Sequence, residues 1–251
     1  DEIFIDKKTD GVIFTAPASG KVKAINRGAK RKLLSVVIEI EGDEHKTFAQ
    51  YDAAKLAEVT RQEVVTNLVT SGLWTALRVR PMSKVPAIDS QPAAIFVSLM
   101  DTNPLAADPE VVIKHDEASF NQGLTIISKL TEGKVFVCAA ENTSIQLSGD
   151  DRTVVHEFSG VHPAGNAGTH IHFLDPVSDA KQVWSISYQD VIAIGKLFIT
   201  GELSVERILS IAGPMVKNPR LVKSRLGANI TELLADELKS GGNRCISGSV
   251  F

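Results

Sequence analysis

Ala93-Ala-Ile-Phe-Val-Ser-Leu-Met100 is a continuous apolar run of strand length that stops at Asp101. A strand in a parallel sheet is covered on both faces, so it reads as unbroken hydrophobicity rather than as alternation, and this run has that character. Downstream, Asp116 to Leu130 sets Phe120, Leu124 and Ile127 at helical intervals, with Asp116 and Glu117 at the positive end of the helix dipole and Gly133 as the stop. The strand-like Lys134 to Ala139 follows and completes one β-α-β unit. After Thr153 to Phe158 come a glycine- and histidine-rich stretch, a strand Gln182-Val-Trp-Ser-Ile-Ser-Tyr188 and a helix from Asp190 to Phe198. Strands alternating with helices from Ala93 to Thr200 predict a Rossmann-like layered α/β domain.

Upstream of the run the period changes twice. Thr60-Arg-Gln-Glu63 has capping-box spacing, and Val64, Val65, Leu68 and Val69 follow at helical intervals until Gly72, which predicts a helix from Arg61 to Ser71. Pro81, Pro86 and Pro92 then hold the chain in an extended, irregular crossing. Before residue 48, short β-type runs alternate with glycine and proline. In Gly20 to Ile25, Val22 and Ala24 against Lys21 and Lys23 predict a half-buried strand, and Ala29-Lys-Arg-Lys32 reads as a solvated hairpin tip. Asp6-Lys7-Lys8 and Ala16-Pro-Ala-Ser-Gly-Lys-Val22 resemble the barrel-sandwich hairpins of biotinyl and lipoyl domains. The spacing from lysine to the Pro-x-x-Gly differs from those domains, so Lys7 is read as unmodified.

Beyond Gly201, two strands (Val205 to Ala212 and a second within 213–222), a helix from Asn229 to Leu238 and a last strand from Cys245 to Val250 suggest a β-grasp-like module. The expected fold is therefore mixed α/β in four parts: a partial barrel-sandwich unit (1–47), a helical and extended connector (48–92), the Rossmann-like domain (93–201) and an incomplete β-grasp module (202–251).

The 251 residues, 43% hydrophobic, suffice for a real core, and a net charge of −3 supplies no overall attraction to nucleic acid or anionic lipid. Cys138 and Cys245 form neither a CxxC nor a disulfide framework, which fits a reducing, cytoplasmic compartment. The apolar stretch Val183 to Ile199 is broken by Ser185, Gln189, Asp190 and Lys196 and does not read as a membrane span. The opening on Asp1 and the strand-like close Ile246-Ser-Gly-Ser-Val-Phe251 read as an internal piece of a longer chain.

Two stretches bear on chemistry. Gly160-Val-His-Pro-Ala-Gly-Asn-Ala-Gly-Thr-His-Ile-His-Phe-Leu-Asp-Pro176 holds three of the six histidines, and its glycines let backbone approach something closely. On a strand, His170 and His172 point to one face, which suits a metal pair, a catalytic group or a polar edge; no third ligand is fixed by spacing. The second stretch is Asp101-Thr-Asn-Pro-Leu-Ala-Ala-Asp-Pro109 after the first predicted strand, which contains no glycine. A dinucleotide pyrophosphate cannot approach that turn in the usual way.

Taken together, several words along the whole chain resemble the NqrA family, which supplies one of the subunits of the bacterial sodium-translocating NADH:quinone oxidoreductase: Ala16-Pro-Ala-Ser-Gly-Lys-Val22, Ser71-Gly-Leu-Trp74, Arg80-Pro-Met-Ser-Lys-Val-Pro86, Asp101-Thr-Asn-Pro-Leu-Ala106, the histidine run, Tyr188-Gln-Asp-Val-Ile-Ala-Ile-Gly-Lys196 and Ala212-Gly-Pro-Met-Val-Lys-Asn-Pro-Arg220. The resemblance implies similarity to the flavin- and NADH-binding subunit of respiratory complex I, with a β-grasp domain of soluble-ligand-binding type. It also implies that Gly72 to Pro81 stands where that relative holds flavin phosphate on a glycine-rich loop. Trp74, Leu77 and Arg78 occupy positions where glycine would allow the anion nest. The implied protein is a cytoplasmic, peripheral subunit without a cofactor of its own. Flavin and iron–sulfur centres belong to neighbouring subunits, and ubiquinone is allowed as a ligand. Trp74, Arg78, Arg80, His162, His170 and His172 are the candidate quinone or interface residues; each also has a bland reading, Trp74 as a core plug and the arginines as solvated or ion-paired.

Overall fold

The computed structural model describes residues 1–250 and puts the apolar run at the centre of a five-stranded sheet. The chain begins with two separate hairpins. β1 (Glu2–Ile5) pairs with β2 (Ile13–Thr15), closed by a Phe4–Phe14 stack at 4.5 Å, and β3 (Gly20–Arg27) pairs with β4 (Leu33–Ile40). The basic run forms the exposed tip of the second hairpin, as expected. The strand β3 is not half-buried: Val22 is 55% exposed. A register shift between Val22 and Ala24 also separates these two residues, so Val22, Ile25, Val36, Ile38 and Ile40 share one face while Ala24 joins Lys21 and Glu39 on the other.

The helix α1 (Arg61–Ser71) has both halves of its capping box, Thr60 and Glu63, and ends at Gly72 in the left-handed conformation (φ 83°). A Cβ at Gly72 would lie 2.4 Å from Thr15 Oγ1, which itself donates to the Ser71 carbonyl at 2.7 Å. Glycine is thus needed twice over, for the turn and for the close approach of the N-terminal hairpin.

A short 3₁₀ turn (Leu73–Ala76) leads to β5 (Arg78–Arg80) and then to β6 (Ala94–Leu99). The chain continues through α2 (Pro109–Ile113), α3 (Glu117–Ser128), β7 (Lys134–Ala140), β8 (Thr153–Phe158), α4 (Ala167–Leu174), β9 (Val183–Ser187) and α5 (Tyr188–Thr200). The strand order is β5-β9-β6-β7-β8, parallel throughout except for the antiparallel edge β5.

Successive residues serve opposite faces. Ile95, Val97, Leu99, Val135, Val137, Trp184 and Ile186 join the large core under α1, α3 and α5, and Ala94, Phe96, Phe136, Cys138 and Val183 join a smaller one with Ile171 of α4. Covering both faces explains why the strands read as unbroken apolar runs. The helices α3 and α5 touch at glycines: a Cβ on Gly195 would sit 1.9 Å from the Ser119 carbonyl oxygen, and one on Gly123 would sit 2.1 Å from that of Val191.

The remaining residues form β10 (Glu206–Ile211), β11 (Arg220–Arg225) and the short α6 (Ile230–Leu233), capped by Asn229. The helix expected over Asn229 to Leu238 is one turn long, and Cys245 to Val250 forms no strand. Phe251, the last residue of the expected closing segment, lies outside the described residues. The pair β10–β11 is a sheet of its own.

Candidate functional site

β6 lies between β7, to which it connects onward, and β9, so the strand order reverses at the β6–β9 seam. In open α/β sheets ligands enter a crevice at the carboxyl ends of the strands at such a reversal. Here a cavity of about 690 Å³ opens there. Ser98 from β6 and Ser185 and Ser187 from β9 form a hydroxyl-bearing floor. Leu73, Ala76 and Arg78 come from the corner after α1, Phe14 and Pro17 from the N-terminal unit, and Arg207 and Leu226 from the C-terminal one. Residues from all four parts of the expected division line this cavity.

At the corner after Gly72, two amides are bonded back into the turn. Thr75 N–H donates to the Gly72 carbonyl at 3.2 Å and Leu77 N–H to that of Trp74 at 3.2 Å. Trp74 and Leu77 are fully buried and Leu73 nearly so, while Ala76 is half-buried; Leu73 and Ala76 border the crevice. Trp74 donates from Nε1 to the Pro86 carbonyl at 2.9 Å and meets Trp184 edge-on at 5.5 Å, so it is part of the floor's support and does not face the cavity. Arg78 does line the cavity. Its Nη1 donates to the carbonyls of Thr75 and Leu77, the second at 2.8 Å, which fastens the guanidinium to the C-terminal end of the 3₁₀ turn. No carboxylate lies within salt-bridge distance of Arg78 among the described residues.

Arg80 sits apart from this group, against the first turn of α4. Its Nη2 would lie 3.2 Å from a Cβ on Gly168, its Nη1 reaches Ser83 Oγ at 3.3 Å, and its buried Nε finds no partner among the described residues.

The histidines do not share a face. The stretch expected as a strand is helix α4, so His170 and His172 diverge by two helical steps. His170 is 0% exposed, lies tilted against Phe158 with ring centroids 4.4 Å apart and bonds the Ala164 carbonyl through Nε2 at 2.8 Å; His172 is exposed beside Phe173. Burial pushes the His170 pKa down, so as pH falls through the ordinary imidazole range the unfolded chain takes up the proton first and stability falls. His162 is half-buried, with Nδ1 3.3 Å from Thr102 Oγ1. The described residues contain no group of three His, Cys, Asp or Glu able to hold a metal ion.

One glycine of this stretch, Gly165, serves a neighbouring loop. Gly165 N–H donates to Thr102 Oγ1 at 2.9 Å, and a Cβ there would stand 2.7 Å from the Thr102 nitrogen. The backbone at Gly165 therefore packs closely against Thr102 in the turn after β6.

Sequence reading misses the serine floor and the pair Asp190–Arg207, whose side chains are only 21% and 14% exposed and meet at 2.6 Å. Ser187 Oγ donates to the other carboxylate oxygen of Asp190 at 2.9 Å. The serines are scattered over two strands that only the strand order brings together; the spacing of Ser187 to Asp190 at a helix start is the one local signal.

Three family profiles match in succession. Residues 1–41 match the NqrA N-terminal barrel-sandwich hybrid domain, 59–203 the NqrA second alpha/beta domain, and 208–251 the NQRA C-terminal domain of soluble-ligand-binding type. Proteins named as the A subunit of Na(+)-translocating NADH-quinone reductase are similar along 99% of the chain: 60% identical over 249 residues in Marinomonas sp. (strain MWYL1), and 60% over 249 residues in both Saccharophagus degradans and Pasteurella multocida (strain Pm70). The chain spans 56% of the length of each of these relatives. No helix among the described residues is long and apolar enough to cross a membrane. With more than half of the chain matched by the second alpha/beta domain alone, and the flanking domains matched in order, the chain belongs to the NqrA family.

Proposed function

We propose that this chain serves as a subunit of a sodium-translocating NADH:quinone reductase, peripheral on the cytoplasmic face of the membrane, and that it carries no redox cofactor. Flavin and iron–sulfur centres then reside on neighbouring subunits, the electrons pass through those, and this chain is not itself the catalyst. The observation that carries the reading is the corner at Gly72. The amides of Thr75 and Leu77 are bonded back within a 3₁₀ turn, and Leu73, Ala76 and Arg78 border the crevice where a phosphate would need open backbone N–H groups.

The crevice instead offers walls suited to a quinone ring. Leu73, Ala76 and Leu226 are apolar, and Arg78 and Ser98 supply donors for carbonyl oxygens. Of the six sequence candidates, Arg78 is the one in place to donate; Arg80, His162 and His172 are offered as interface residues, and Trp74 and His170 as supports. The four-part division at residues 47, 92 and 201 is kept as the domain organisation of the proposal.

The purified chain is expected to be colourless and to leave NADH unoxidised; a tightly bound yellow chromophore would sink the cofactor-free reading. Titration with a short-chain ubiquinone should quench tryptophan fluorescence, because Trp74 and Trp184 lie under the crevice. At a hundredfold excess over Kd it should stabilise the fold by about 2.7 kcal/mol. A flat fluorescence signal with an unchanged Tm at saturating quinone would leave only the docking role.

A further inference from the structure

We propose that the hairpin β10–β11 is a detachable wall whose attachment to α5 controls access to the crevice. The inference concerns the cavity that the quinone reading uses, but it rests on how the wall is held and not on what enters.

The hairpin shares no backbone ladder with the central sheet. Its hydrogen bonds to the first turn of α5 are made by side chains, and Ile208 also packs against the edge of the large core. Gln189 uses its amide as a strand would use a peptide group: Nε2 donates to the Ile208 carbonyl at 3.0 Å and Oε1 accepts from Ile208 N–H at 2.9 Å. One residue on, Asp190 takes the Arg207 guanidinium at 2.6 Å. A third tie, from Arg225 Nη1 to the Pro17 carbonyl at 2.8 Å, holds the other strand to the N-terminal unit. Arg207 and Leu226, one on β10 and one just past β11, both line the cavity. When the hairpin leaves, the cavity loses that side.

Side-chain ties of this kind separate as a unit more readily than a ladder of peptide hydrogen bonds, since each strand keeps its own ladder when the hairpin moves. The six-residue register of β10 with β11 is internal and survives the movement. Gly201, in the left-handed conformation at the end of α5, begins the connection to β10.

The test reads access without any quinone. Ser98 on the floor is changed to cysteine in a chain where Cys245, the exposed thiol, is serine; Cys138 is buried with its pKa pushed up to about 12 and stays silent. The rate of maleimide labelling of S98C/C245S is compared with and without Gln189→Leu. The proposal expects labelling about tenfold faster in the Gln189→Leu chain, the effect of losing two hydrogen bonds on the closed state. Equal rates overturn it. Should circular dichroism show that Gln189→Leu does not fold, Asp190→Asn takes its place with the same two outcomes. If neither folds, hydrogen exchange in the unaltered chain decides. Exchange of Ile208 N–H at least tenfold faster than Val97 N–H supports a detachable wall, and equal exchange rejects it. A failed quinone titration beside tie-dependent labelling removes the quinone reading alone. A normal titration beside tie-independent labelling removes only this one.

Discussion

The central sheet and the β3–β4 ribbon are both aliphatic, yet they occupy opposite extremes of exposure. Ile95, Phe96 and Val97 are fully buried, whereas Leu34 and Ile40 of the ribbon are 62% and 59% exposed. The difference lies in what surrounds them. The sheet has helices on both faces, while the ribbon's two strands pair only with each other and its two ion pairs, Lys21–Glu41 and Lys23–Glu39, lie on exposed side chains. Alternation in a sequence identifies which face a side chain takes, and says nothing about whether that face is covered. An unbroken apolar run says more, because no single-sided strand would tolerate it.

The contrast can be broken or sharpened by substitution. The largest effect is expected from Phe120→Ala, which empties a fully buried site among α3, α5 and the sheet and should cost about 3–5 kcal/mol in urea unfolding. A loss under about 1 kcal/mol would mean that this core is loosely filled. Next comes Gly195→Ala: the added methyl collides with the Ser119 carbonyl, and separating α3 from α5 should cost about 1–3 kcal/mol despite the better helix propensity of alanine. If the variant is instead stabilised, the close glycine contact is wrong. Thr60→Ala removes the cap of α1 and should lower stability by about 1 kcal/mol. Smallest of all, Leu34→Ser on the ribbon should stay within about 0.5 kcal/mol of the parent in the same titration. A core-sized loss there would show that the ribbon is covered in solution.

Legibility follows the same division. α1 is readable to the residue, because its start and stop are encoded locally by Thr60, Glu63 and Gly72. β6, β7 and β9 are readable from apolar runs, to within a residue or two at their ends. α4 is not, since eight residues with two histidines fit either period, and Ile171 and Leu174 alone mark the buried side. The corner at Gly72 can be located from sequence, but not which side chains turn inward there: Trp74 reads as a donor, and the structure uses it as a buried support. The crevice is illegible for a different reason. Its serines are brought together by strand order, and its far wall by Gln189 and Arg207 across about twenty residues of chain, which no local pattern records.

The middle strand has a consequence for how the polypeptide is made. β6 pairs with β7 through Ile95 and Val135, but its other flank waits for Trp184, and β5 likewise waits for β9. On the ribosome, Ala94 to Leu99 must therefore spend the synthesis of some ninety further residues with one row of amides and carbonyls unclaimed. A nascent chain arrested before Val183 would display that sticky margin, and a chaperone can engage there.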